Sequence, residues 1–144
     1  MRVLVMSDIH ANYTALEAVL NDAGQVDETW GLGDLVGFGP DPNAVVEEVR
    51  DIPNLTCILG NHDVAVIGKM PLEAFNGDAR RSLVYHEKVL SASNMDYMRS
   101  LSSNIKTLGE AGTKALSKIT SLLLAAIAVM MIRKAIVQLL GQYT

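Results

Sequence analysis

Gly60-Asn61-His62-Asp63 closes the apolar run Leu55 to Leu59, and two stretches upstream repeat the arrangement. Asp8-Ile9-His10 follows the apolar run Val3 to Met6, and Gly33-Asp34 follows Thr29 to Leu32. Each short hydrophobic segment is succeeded at once by Asp, Asn or His. Strands of a parallel sheet are buried on both faces and read as continuous apolar runs, and ligands collect at their carboxyl ends. Three such ends side by side would gather Asp8, His10, Asp34, Asn61 and His62 into one small volume. Hard divalent cations take carboxylate and amide oxygen, and transition metals also accept imidazole. Asp34 falls centrally, where one carboxylate could bridge two ions.

Between the runs the pattern turns helical. Leu16, Val19 and Leu20 recur at helical spacing in Tyr13 to Ala23, with Asn12 as the expected N-cap and Gly24 at the end. Asp41-Pro42 reads as N-cap and first helical position of a helix through Arg50. The result is a βαβαβ parallel sheet, an α/β fold whose three loops share one edge. Beyond Asp63, Val64 to Phe75 reads as loop with one short turn. A helix is expected over Asp78 to Leu90, with Leu83, Val84 and Val89 or Leu90 on its apolar side. Another should open at Ser93-Asn94-Met95-Asp96 and end near Leu101. His86, Arg80 and Arg81 are expected on solvated helix surface, and Cys57, the single cysteine, as a buried small hydrophobe.

These blocks resemble the first three signature blocks of the calcineurin-like metallophosphoesterases. The wider stretches Ser7-Asp8-Ile9-His10-Ala11-Asn12 and Gly33-Asp34-Leu35-Val36-Gly37-Phe38-Gly39-Pro40 are similar to its small bacterial and archaeal phosphodiesterase branch. The resemblance covers roughly Met1 to Leu101, and Ala11 stands where many relatives have Gly. It implies the N-terminal half of an α/β sandwich and hydrolysis of a phosphodiester or phosphomonoester by a metal-activated water. It further implies that Asp8 and His10 hold a first metal, Asp34 bridges, Asn61 holds a second, and His62 serves as proton donor or charge stabiliser. Mn2+ is the expected ion, with Zn2+, Fe2+, Ni2+ and Mg2+ as others the donors suit. The family completes both sites with later histidines, including a Gly-His-x-His block, whereas this chain has only His10, His62 and His86. A truncated domain with weak, single-site metal binding is therefore expected. The rival is a catalytically inactive metal-binding or membrane-associated fusion.

The 144 residues carry 12 Lys+Arg against 16 Asp+Glu, a net charge of -4 that gives no reason to expect nucleic-acid binding. The charge is uneven. Residues 1–100 hold seven basic and fifteen acidic side chains (net -8), and 101–144 hold five and one (net +4). All three His, the Trp and both Phe lie in the first part. This asymmetry suggests two pieces, expected to be the partial metallophosphoesterase domain that the resemblance implies, 1–101, and a hydrophobic helical tail, 102–144. No signal peptide is visible, so a cytoplasmic location is expected. Leu122 to Ile132 is uninterrupted apolar sequence. A helix over Ile119 to Ile132 spans roughly 21 Å, short of a ~30 Å hydrocarbon core. Extension to Leu140 reaches about 33 Å but includes Arg133 and Lys134. Leu108 to Ile119 with the following apolar run resembles the last helix of the MarC family of membrane proteins. That resemblance implies a fusion, a shifted reading frame or a hybrid chain. One long helix over 113–140 is expected, making membrane or homo-oligomer contact in preference to lying across the open sheet face.

Overall fold

A computed structural model of the protein describes residues 1–103. The helix expected over 113–140, its membrane or oligomer contact and its alternative place on the sheet lie outside the described residues. Among the described residues, no helix is long and apolar enough to cross a membrane.

Three short strands form a parallel sheet in the order β1 (Val3–Met6), β2 (Glu28–Gly31) and β3 (Leu55–Cys57). Two crossover helices link them, α1 (Tyr13–Ala23) and α2 (Pro42–Asp51). The expected βαβαβ pattern is present, with strand limits shifted. β2 starts and ends one residue earlier than its apolar run, and β3 stops at Cys57 because the chain then turns toward another partner. Ile58 bridges Ser102 in parallel fashion, and Leu59 N–H donates to Ser102 O at 2.9 Å.

Side chains alternate across a sheet, so Leu4, Met6, Leu55 and Cys57 share the face that carries the helices. There they meet Leu16 and Leu20 of α1 and Val45 and Val49 of α2 in one apolar core. Gly31 lies between Met6 and Cys57 in register, where a Cβ would come within 2.7 Å of Cys57 Sγ. Cys57 is buried as expected, and burial pushes its thiol pKa up to about 12, which keeps it an unreactive hydrophobe.

Caps set the helix ends. Asn12 accepts from Ala15 N–H at 3.0 Å, as its position predicts. Asp41 precedes Pro42 but makes no side-chain cap bond, so proline's fixed φ opens α2 unaided. The segment after Gly60 corrects the loop reading. Asn61–Val66 is a helix, α3, and Leu72–Ala74 is a 3₁₀ turn. α4 (Gly77–Val89) is capped by Asn76, and α5 (Ala92–Ser100) by Ser91, not Ser93. Asn43 ties α2 to the junction of these last two. It donates to Val89 O and accepts from Ser91 N–H and from buried Asn94.

Candidate metal centre

The first two strand-end loops are joined by backbone hydrogen bonds that extend the sheet past its strands. Asp8 N–H donates to Gly33 O at 3.2 Å, His10 N–H to Asp34 O at 2.9 Å, and Ala11 N–H to Leu35 O at 2.8 Å. Gly39 N–H in turn reaches His10 O at 2.9 Å. Following this course costs backbone strain. Asp8, His10, Ala11, Asp34 and Phe38 all have φ between 49 and 58°, the left-handed region. Asp and His tolerate it better than most side chains, while each bulkier residue costs about 1–3 kcal/mol unless its surroundings enforce it. Such strain concentrates where function needs a fixed geometry. Close backbone approach completes the arrangement, because a Cβ on Gly60 would come within 2.6 Å of Asp34 Cγ and closer still to Asp34 N.

One ligand-capable atom each from His10, Asp34 and His62 lies within 4.8 Å of the others, the only group of three or more His, Cys, Asp or Glu side chains so placed among the described residues. Asp8 joins through His10, its Oδ1 lying 3.8 Å from His10 Nε2. Asp8, His10 and Asp34 therefore sit at one end of the sheet, as their positions after successive strands predict. Asn61 is the exposed first residue of α3, next to His62, whose backbone N–H donates to Asp34 Oδ1 at 3.0 Å.

The orientation of these groups suits an ion. His10 Nδ1 lies 3.1 Å from Val36 O. A carbonyl only accepts, so Nδ1 carries the hydrogen and Nε2 is the ring nitrogen on the Asp8 side. Metal-binding histidines almost always have one ring nitrogen engaged in this way. Burial lowers the pKa of His62 and keeps its ring neutral, against the opposing pull of Asp34. Its Nδ1 is buried with no hydrogen-bond partner. Imidazole and carboxylate are donors that Mn2+ or Zn2+ would accept.

The sequence profile of the calcineurin-like phosphoesterases matches residues 1–124. The chain belongs to this family. An uncharacterised protein of Methanocaldococcus jannaschii is 41% identical over 101 residues, which are 69% of this chain and 41% of that protein. A symmetrical bis(5'-nucleosyl)-tetraphosphatase of Proteus mirabilis is 38% identical over 73 residues, 47% of this chain and 26% of the relative. This calcineurin-like phosphoesterase chain thus spans less than half of the curated relatives it matches. The crystal structure of a metallophosphoesterase from Sphaerobacter thermophilus superposes with a TM-score of 0.59 at 50% identity, covering 70% of this chain and 41% of that one. A hypothetical protein from Pyrococcus horikoshii also gives 0.59, at 23% identity, over 70% of this chain and 48% of that one, which bears on the fold alone. The profile continues past the boundary drawn at residue 101, and none of these matches supports a MarC-like tail.

Two residues that the sequence reading left without a role hold this cluster together. His86 is not on the helix surface. It is buried, with Nδ1 accepting from Gly37 N–H at 2.9 Å and Nε2 lying 2.9 Å from Gly39 O, so that Nε2 carries the hydrogen. Its clue was present: Ala79, Leu83, His86 and Leu90 fall at the spacing of one helix face, and all four are buried. Burial is the main cause of its lowered pKa. A histidine whose folded pKa is lowered binds its proton first in the unfolded chain. Its stabilising effect is therefore complete above the unfolded value near 6.5 and is lost as pH falls below it. Thermal melts in chelator should show His86→Leu less stable at pH 7.5 and with a shallower loss toward pH 5. Parallel curves for the two proteins would refute this.

Asp63 is the second. It is fully buried, and its carboxylate accepts from Val36 N–H at 3.1 Å and Gly60 N–H at 2.9 Å, bridging the second and third loops. Burial pushes its pKa up to about 6, against the two backbone donors that favour the charged form. Asp63→Ala removes the acceptor of both amides, each worth ~1–3 kcal/mol when stranded. Urea denaturation should register a loss of about 2–3 kcal/mol with an unchanged slope. A loss under about 0.5 kcal/mol, typical of a neutral surface site, would exclude the bridging role. Arg80 and Arg81 are exposed, as expected. Arg80 donates to the carbonyls of Leu72, Glu73 and Phe75.

Proposed function

We propose that these loops form a metal-dependent phosphoesterase centre acting on a phosphomonoester or phosphodiester. The observation that carries the reading is the meeting of His10, Asp34 and His62 in one cluster, with Asp8 3.8 Å from His10. A bound divalent ion would supply Lewis-acid polarisation of the phosphate and lower the pKa of a water. Asp8, His10 and Asp34 would hold it, and Asn61 would add an amide oxygen on the side of α3. The Val36 carbonyl fixes the ring of His10, and His62 N–H fixes the carboxylate of Asp34. His62 would stabilise charge on the departing oxygen, or donate a proton to it when protonated. A nucleoside polyphosphate is a candidate substrate class, since symmetrical bis(5'-nucleosyl)-tetraphosphatases are among the relatives this chain is similar to.

The described ligands are enough for one ion, with water completing its shell. Hydrolysis by the chain alone should accordingly be slight. The division into a catalytic segment, 1–101, and a hydrophobic tail, 102–144, that contacts a membrane or a second copy remains part of this proposal. The test is hydrolysis of bis-p-nitrophenyl phosphate by the full chain, with Mn2+ and with chelator, beside Mn2+ calorimetry. One weak site and slow, Mn2+-dependent turnover are expected. Metal binding without turnover would favour an inactive metal-binding protein. Absence of binding would overturn the reading altogether.

A further inference from the structure

Phe38 has no part in the centre as described, yet its position is costly in two ways. Its side chain is 53% exposed, and its φ of 58° is a left-handed conformation that a bulky residue rarely adopts. Neither cost is an accident of a loose loop. Gly37 and Gly39, its neighbours on either side, are both pinned by buried His86, so Phe38 is the apex of a fixed arc. The ring centroid lies 5.0 Å from that of His10 at 86° and 5.2 Å from that of His62 at 42°. A phenyl ring that served only to shield those imidazoles would be buried against them. Here about half of it faces solvent at the rim of the cluster.

We propose that Phe38 is a stacking platform that selects phosphate esters whose substituent carries a planar aromatic ring, a nucleobase or an aryl group. The inference rests on the phosphoesterase reading, since the cluster must hold the phosphate for its substituent to lie over Phe38. A phosphate at His10, Asp34 and His62 leaves its substituent at the rim, where the ring is the exposed apolar surface in direct contact with two cluster residues. Stacking is sequence-tolerant because every base has a π-face. The platform therefore favours nucleoside phosphates as a class without distinguishing among bases. The rigid arc holds the ring in place before the ligand arrives, so little ordering entropy is lost on binding.

The test compares AMP with ribose 5-phosphate, which shares its phosphate and sugar, by calorimetry on the full Mn2+-loaded chain and on Phe38→Ala and Phe38→Trp. AMP should bind the native chain more tightly than ribose 5-phosphate. Phe38→Ala should weaken AMP about tenfold, the lower range of one base–aromatic stack, and ribose 5-phosphate less than about twofold. Phe38→Trp should retain AMP binding. Equal affinity of the two ligands for the native chain overturns the platform and leaves the phosphoesterase reading standing. An equal loss of both ligands in Phe38→Ala assigns Phe38 to holding the histidines and also overturns it. The same holds if AMP binding falls in Phe38→Trp as far as in Phe38→Ala. Binding of neither ligand to the loaded native chain overturns both readings.

Discussion

Replacing Asp34 by alanine is expected to weaken Mn2+ binding by at least ~100-fold, because loss of a mere supporting group around a metal already costs 10–100-fold. Asp34 is the carboxylate within the three-residue cluster, and its Oδ1 also accepts the His62 amide at 3.0 Å. Alanine deletes both functions and places a side chain with no left-handed preference at φ 56°. Asp34→Asn separates the effects. It keeps an oxygen for His62 N–H and tolerates the backbone, so its stability should stay near native while its metal affinity falls almost as far. Calorimetry with Mn2+ on both variants checks this. Native-like affinity in Asp34→Asn would mean that the charge of Asp34 is not what the ion uses.

The second large effect concerns stability. Gly33 has φ +93°, and a Cβ there would lie 2.5 Å from Gly60 Cα and 2.7 Å from Leu59 C, closer still to Gly60 N. All of these are backbone atoms, so no side-chain rotation can make room. Gly33→Ala adds left-handed strain of ~1 kcal/mol to an overpacking cost of ~1–3 kcal/mol or more. A loss of about 3–4 kcal/mol is a large part of the 5–15 kcal/mol that stabilises an ordinary domain. Gly24→Ala is the control, because its φ is also positive (+60°) but nothing lies within 4 Å of its Cβ. Denaturation should show the Gly33 variant far below the Gly24 variant. Equal losses would mean that backbone strain alone is at work and that the loops can move apart.

The centre was legible because its residues are punctuation. Asp8, Asp34 and His62 each interrupt an apolar run, and parallel pairing brings such interruptions to one edge whatever the rest of the chain does. What escaped notice depended on the third dimension. His86 looked polar and mid-helix; its helix face was readable from the spacing, but its two backbone partners, 47 and 49 residues away, were not. Asp63 stands beside residues with more obvious chemistry, and its task is to receive two amides. The last helix was expected to open at Ser93, and the structure caps it at Ser91 instead. The choice fell to Ser91 because its backbone N–H is held by Asn43 of α2, which starts α5 two residues earlier. The profile match runs to residue 124, past the boundary expected at residue 101 from the charge change.

The bonds from Asp8, His10, Ala11 and Gly39 join the first two loops backbone to backbone. We therefore expect the proposed metal cavity to be assembled by the sheet itself, so that folding does not wait for loading. Zinc fingers behave in the opposite way, since their chains are unfolded without metal. Here a chelator should leave a folded apoprotein with a cooperative melt. Added Mn2+ should then raise the melting temperature only by mass action, in step with the logarithm of its concentration above the dissociation constant. In a cell, such a site would exchange its ion with whatever pool surrounds it, so metal supply and not protein synthesis would set how much of it is active.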